Sequence, residues 1–294
     1  MTSSRLPVLD PLDRRLNAWR DDLADRRLEG RVVAARFVAG ESASVSSPLA
    51  DLRREPRHDC GIDHQLLEGE PVEVFEWSRD WAWIRTGIDG YVGWVAASCL
   101  KGGTFTPTHR ITAPRTFVYP GPDLKIPNQR ALSMGSLVNV SGEAETRGTR
   151  YLELADGGFI IARHVAPVGQ LAEDYVAVAQ SLMRTPYLWG GASGFGIDCS
   201  GLVQLAMRMC GRMVLRDSDM QAASIGEEID PGSDWSNLER GDLVFWRGHV
   251  AIVEGDGMLL HANGNTMDVT SEPLVEAIGR IERLYALPTG CRRP

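Results

Sequence analysis

Residues 186–204 read PYLWGGASGFGIDCSGLVQ, and this stretch decides how the rest of the chain is read. An irregular run with Gly190, Gly191, Gly194 and Gly196 gives way to Asp198-Cys199-Ser200 and then to apolar residues at helical spacing: Leu202, Val203, Leu205, Ala206, Met209 and Cys210. Glycine supplies backbone freedom and close approach before the change. Asp198 is a good N-cap residue, which puts Cys199 in the first turn of a buried helix. Backbone N–H groups and the helix dipole favour an anion there, so the thiol pKa is expected to be lowered. Cys199 is therefore a candidate nucleophile; the alternative is a small buried core residue. A base elsewhere in the chain must decide between them.

Candidates for that base lie downstream. LVFW, HVAIVE and MLLHA, after Gly241-Asp242, read as three short strands joined by Arg247-Gly248 and Gly255-Asp256-Gly257. His249 starts the second and His261 nearly ends the third. Opposed residues of an antiparallel pair have a constant sum, and 249 + 261 is even. An odd-length turn therefore makes the two histidines opposite or diagonal neighbours on one face, whereas a two-residue turn breaks the arrangement. On one face, His249 can take the thiol proton while His261 fixes its tautomer. Either histidine alone could be structural; the conjunction with Cys199 favours chemistry. No CxxC or HExxH spacing supplies a metal site, and His58, Cys60 and His64 are too loosely spaced for one, so no metal and no cofactor is expected.

The 294 residues suffice for two or three domains with their own cores. At 43% hydrophobic and 24% charged the composition is that of a soluble globular protein, and no apolar run could span a bilayer, so no membrane association is expected. A net charge of −8 without a Lys/Arg cluster argues against nucleic acid as a partner. The N-terminus lacks a signal-peptide core, and the five cysteines at 60, 99, 199, 210 and 291 follow no disulfide framework. A cytoplasmic location is the expectation.

Working outward, residues 1–30 read as a helical lead-in, with the helix from Leu16 to Leu28. Residues 31–102 carry short strand patterns (VVAARFVA, PVEVFEW, WAWIRT, YVGWVAA) suited to a small barrel. A similar pattern recurs over 103–168: LLEGEPVEVFEW with IDGYVGWV is echoed by LSMGSLVNVSGE with ADGGFIIARHV. Two related barrels in tandem are expected. The third domain, 169–294, opens with a helix from Leu171 to Met183; RDSDMQ (216–221) starts another, capped by Asp217 or Ser218, and IERLYAL (281–287) reads as a last strand. The fold class is multidomain: two small all-β barrels, then an α+β domain.

PYLWGG…DCSGLV, RGDLVFW-RGHVAIV and LLHA, in that order over residues 171–290, resemble the NlpC-type branch of papain-like cysteine peptidases, which cut bacterial cell-wall peptides. Residues 31–168 are similar to the two bacterial SH3-like barrels of one subgroup, the γ-D-glutamyl-L-diamino-acid peptidases (dipeptidyl-peptidase VI), which act on murein peptides with a free N-terminal L-Ala. The resemblance implies Cys199 as nucleophile, His249 as base, His261 as third member, and Tyr187 with the Cys199 N–H as oxyanion site. It also implies a pocket lined by Trp189, Asp198, Ser200, Asp217 and Ser218. The substrate ammonium would meet one carboxylate from the catalytic domain, Asp217, and barrel groups, for which Glu55 and Tyr91 are the candidates. Plainer alternatives are an exposed loop carboxylate for Glu55, a helix cap for Asp217 and core packing for Trp189. Rival activities are a secreted wall endopeptidase of the same family, a catalytically inactive peptidoglycan-binding protein, and an acyltransferase.

Overall fold

The computed structural model describes residues 12–294. Strands dominate the first half; α-helices are confined to the second: α1 (Tyr175–Ser181), α2 (Cys199–Met209), α3 (Ser218–Ser224) and α4 (Leu274–Leu284).

The lead-in differs from expectation. Part of it, residues 1–11, lies outside the described residues, and 12–30 form turns, a two-residue strand and a single 3-10 turn, Arg26–Leu28, rather than an α-helix. Two of its buried apolar residues, Ala18 and Leu23, are five apart and so cannot share a helical face. Both instead pack on Phe75 and Trp83 of the first barrel. The Arg20 guanidinium lies over the Trp83 ring, 4.3 Å from its centroid. The segment is thus a strap bound to the barrel.

The first barrel is a five-stranded antiparallel sheet with a separate hairpin, Leu49–Leu52 with His64–Leu67. Strands Pro71–Trp77, Trp81–Thr86 and Val92–Ala96 fall where the alternation places them. VVAARFVA yields only Phe37–Val38, parallel to Ala24–Asp25. The second barrel has its own five-stranded sheet and a small core around Ile111, Val118, Leu132 and Ile160. The two end in the same order of elements: Val92–Ala96, a 3-10 turn and Leu100–Gly102 in one; Phe159–Ile161, a 3-10 turn and Val165–Pro167 in the other.

The third domain wraps helices around a six-stranded antiparallel sheet, in the spatial order Glu227–Ile229, Gly290–Arg293, Leu243–Trp246, His249–Gly255, Met258–Asn263, Asp268–Pro273. Period-2 alternation sends Phe245, Val250, Ile252, Leu260 and Ala262 to the face covered by α2, and Val244, Ala251, Val253 and Leu259 to the face covered by α4. IERLYAL is not a strand: Leu274, Ala277, Ile278 and Ile281 repeat at i, i+3, i+4, i+7 and bury one side of α4, and the closing strand is Gly290–Arg293.

The glycine-rich run is where all three domains touch. Gly190 has φ +77°, and a Cβ there would collide with the Ile62 carbonyl of the first barrel. The Gly194 N–H donates to Ser133 Oγ of the second barrel (2.9 Å), and Arg115 Nη1 donates to the Gly194 carbonyl (2.9 Å). Both barrels therefore brace the loop that delivers Cys199.

Candidate active site

Cys199 opens α2, with Asp198 as N-cap: Asp198 Oδ1 accepts from the Gly201 N–H at 2.7 Å. The side chain is buried, 6% exposed, and the backbone N–H groups of Val250 and Ser200 lie near its sulfur and favour its charged form. The nucleophile helix thus meets the sheet where the His249 strand begins.

The two histidines share a face, by a route the loop rule did not foresee. The turn is a two-residue one, Asp256-Gly257, closing on the Gly255↔Met258 pair, with φ of +50° and +70° as a tight primed turn requires. By itself this would place the histidines on opposite faces. A β-bulge at Glu254 inserts one residue, so the register becomes Val253↔Leu259 and Ile252↔Leu260. Continued three residues, it sets His249 opposite Asn263 and so diagonal to His261. His249 Nε2 and His261 Nδ1 are 2.9 Å apart. His261 is buried, and its Nε2 lies 2.7 Å from Glu272 Oε1, which Arg280 of α4 also holds. Glu272 and Arg280 carried no recognisable signal in the sequence; only strand pairing, His261↔Thr270 and Leu259↔Glu272, brings that carboxylate to the same face.

The thiol does not behave as its helix position alone suggests. Burial, followed by the Asp198 carboxylate, pushes Cys199 up to about 12 against the donors at its sulfur. Burial, with His261 and Arg280 nearby, drives His249 down to about 3. A raised thiol pKa means the folded protein keeps the proton as pH climbs past the free-cysteine value, and a lowered imidazole pKa means it stays neutral well below 6. The resting pair is therefore neutral thiol and neutral imidazole. Alkylation of Cys199 by iodoacetamide should accordingly climb about tenfold per pH unit from pH 6 to 10; a rate already level by pH 7 would indicate a preformed thiolate–imidazolium pair.

A cavity of about 490 Å³ opens onto Cys199. Tyr187, Tyr91, Trp189, Asp198, Ser200, Asp217 and Ser218 all line it, and so do Arg15, Arg54, Asp63, Asp219 and Gly248. Tyr187 has its phenol pKa raised by burial, so it is a hydroxyl donor at neutral pH. Trp189 is 67% exposed and forms a wall of the cavity rather than core. Glu55 is not among the lining residues; its carboxylate pairs with Arg57 on the exposed loop at 2.9 Å. The first barrel contributes Asp63 instead, whose Oδ1 accepts from Arg54 (2.8 Å).

Asp198 and Asp217 divide the two possible uses of a carboxylate. Asp198 is consumed structurally: Gly201, Gly190, Ser200 and both terminal nitrogens of Arg216 donate to it. Arg216 is 1% exposed and also donates from Nε to His64 Nδ1 (2.9 Å), while His64 Nε2 lies 3.3 Å from Asp89 of the barrel. This buried line ties the nucleophile's cap to the first barrel. Asp217 is the N-cap of α3 by position but makes no side-chain cap bond. Its Oδ2 instead accepts from Tyr91 OH (3.0 Å) and Arg15 Nη1 (2.8 Å). Arg15, on the strap, is saturated by Asp13, Asp217 and Asp219, with donors from Nε, Nη1 and Nη2 all engaged.

A thiol at a helix start with a phenol beside it, and an imidazole held by a second imidazole, define a cysteine hydrolase of the papain-like kind. Comparison with known proteins is in accord. Residues 184–279 match the NlpC/P60 family, and 52–100 match the bacterial dipeptidyl-peptidase Sh3 domain. Dipeptidyl-peptidase 6 of Lysinibacillus sphaericus is 30% identical over 252 residues, 78% of this chain and 91% of that protein. A gamma-D-glutamyl-L-lysine dipeptidyl-peptidase of Bacillus subtilis is 28% identical over 75% of this chain and 78% of its own. The crystal structure of an NlpC/P60 family protein from Bacillus cereus shares the fold, with a TM-score of 0.69 at 22% identity over 86% of this chain and 99% of that one. The chain belongs to the NlpC/P60 family of cysteine peptidases, and carries an SH3-like domain ahead of the peptidase domain.

Proposed function

We propose that the protein hydrolyses the amide bond between γ-D-Glu and the diamino acid, diaminopimelate or Lys, in murein peptides that begin with a free L-Ala. The observation that carries this reading is Asp217. Released from capping α3, it is held by Tyr91 and Arg15 through Oδ2 alone, which leaves Oδ1 for a cation in the cavity shared with Cys199. Asp63 adds a second carboxylate to the same wall. A buried ammonium needs such a partner, since an unpaired buried charge is costly.

In the reaction so read, the Cys199 thiol passes its proton to His249 as the sulfur attacks the γ-carbonyl. The oxyanion meets the Cys199 N–H and Tyr187 OH; one such donor is commonly worth about 10²–10³ in rate. Collapse breaks the C–N bond, His249 returns the proton to the leaving amine, and the diamino acid departs. Water, with His249 again as base, opens the thioester and releases L-Ala-D-Glu. We place this chemistry in cytoplasmic recycling of wall peptides, with the five cysteines, all unpaired, as support for a reducing compartment.

The experiment is a digest of L-Ala-γ-D-Glu-meso-diaminopimelate beside its N-acetylated form. Acetylation removes the charge the site pairs with and should lower kcat/KM by on the order of 10³-fold, a gap that Asp217→Asn should narrow. Equal rates on both peptides would remove the ammonium anchor.

A further inference from the structure

The base has two ring nitrogens, and the groups behind it determine which one is basic. Glu272 accepts hydrogen bonds from Arg280 of α4 on one side and faces His261 Nε2 at 2.7 Å on the other. A carboxylate paired with a guanidinium only accepts, so the proton in the contact belongs to His261 Nε2. An imidazole that carries its one proton on Nε2 accepts at Nδ1. The 2.9 Å contact of His261 Nδ1 with His249 Nε2 accordingly places the His249 proton on Nε2 and leaves His249 Nδ1 as the basic nitrogen.

We propose that Glu272, locked by Arg280, is a positioning residue that fixes the tautomers of both histidines in series, so that His249 presents an unprotonated Nδ1 to the Cys199 thiol. When His249 takes the thiol proton, its charge is hydrogen-bonded to His261, with the Glu272 carboxylate one imidazole further on. In the reverse tautomer His261 Nδ1–H donates to His249 Nε2, the His249 proton moves to Nδ1, and the base is blocked. The carboxylate on the far side of His261 selects against that state. The favourable direction of the Glu272 pKa, lowered first by its bond to His261, agrees with an ionised acceptor. The inference concerns the peptidase machinery alone and is independent of which peptide is cut.

The test is nitrogen-15 NMR of histidine-labelled protein, whose six histidines are assigned by single substitution, together with kinetics of Glu272→Gln. The expected wild-type spectrum has His249 and His261 both protonated at Nε2. In the variant an amide can donate as well as accept, so the Nδ1–H tautomers gain population, and kcat should fall about 10–100-fold with KM within about twofold. Glu272→Asp, which keeps an acceptor-only group, should restore most of the loss. A wild-type spectrum with His249 protonated at Nδ1 overturns the proposal even if Glu272→Gln does not fold. Full kcat in a folded Glu272→Gln overturns it as well.

Discussion

Replacing Cys199 by alanine should abolish peptide hydrolysis, lowering kcat by about 10⁴–10⁶-fold while leaving KM and the fold nearly as they were. The size of the loss follows from the chemistry: Cys199 is the one thiol among the residues that line the cavity, and without it His249 is left with water or hydroxyls, which attack an amide far more weakly. Stability should change little, because the thiol's own bonds are two weak contacts with backbone N–H groups and alanine leaves a void of only one sulfur. His249→Ala should cost a comparable factor, and the double variant little more than either single one, since the two act as a unit and their effects cannot add. Steady-state kinetics beside circular dichroism decides the matter. A folded Cys199→Ala retaining a hundredth of wild-type kcat would transfer the reaction to another group.

Arg216→Met should be the most destabilising conservative-volume change in the catalytic domain, at about 3–5 kcal/mol. The guanidinium is buried and gives Asp198 two charge-assisted bonds, Ser200 one and His64 one. Methionine fills much of the space but leaves Asp198 as a buried, uncompensated charge next to the Cys199 helix. Against a typical total of about 5–15 kcal/mol the loss is severe. Lysine should not rescue it, because a point charge cannot bridge carboxylate, hydroxyl and imidazole together. Asp198→Asn in the methionine background should recover part of the loss by removing the stranded charge. The check is the midpoint of chemical denaturation for the three variants; a shift in Arg216→Met worth under 1 kcal/mol would mean that water or a rearranged cap satisfies Asp198.

Much of the site was legible because its residues obey local rules. Asp198 before an apolar 3.6 repeat marks a capped helix, and Cys199 follows from it. Strand alternation around His249 and His261 survives in the structure because each strand buries a different neighbour on each face. Three things resisted. A helix start supplies donors to a thiolate but burial desolvates it, and at Cys199 burial wins. Arg15, Asp63, Arg216 and Glu272 act through partners up to 204 residues away, as with Arg15 and Asp219; nothing local distinguishes them from surface charges. The lead-in and the 281–287 segment depart from their local patterns for a related reason, since isolated apolar residues among charges fit several periods and only the surface they pack against selects one.

The bulge at Glu254 also governs what lengths this hairpin can tolerate over evolutionary time. Its turn is an exposed surface tip, normally the place where insertions and deletions are harmless. Here any single-residue change in length, whether in the turn or by loss of the bulge, would rotate His249 to the far side of the sheet from His261, while a change of two would restore the match. Natural variation at this tip should therefore come in even steps, or as an odd step with a compensating bulge, so the reading frame of the active site is kept by a residue that touches neither the thiol nor the bond it cuts.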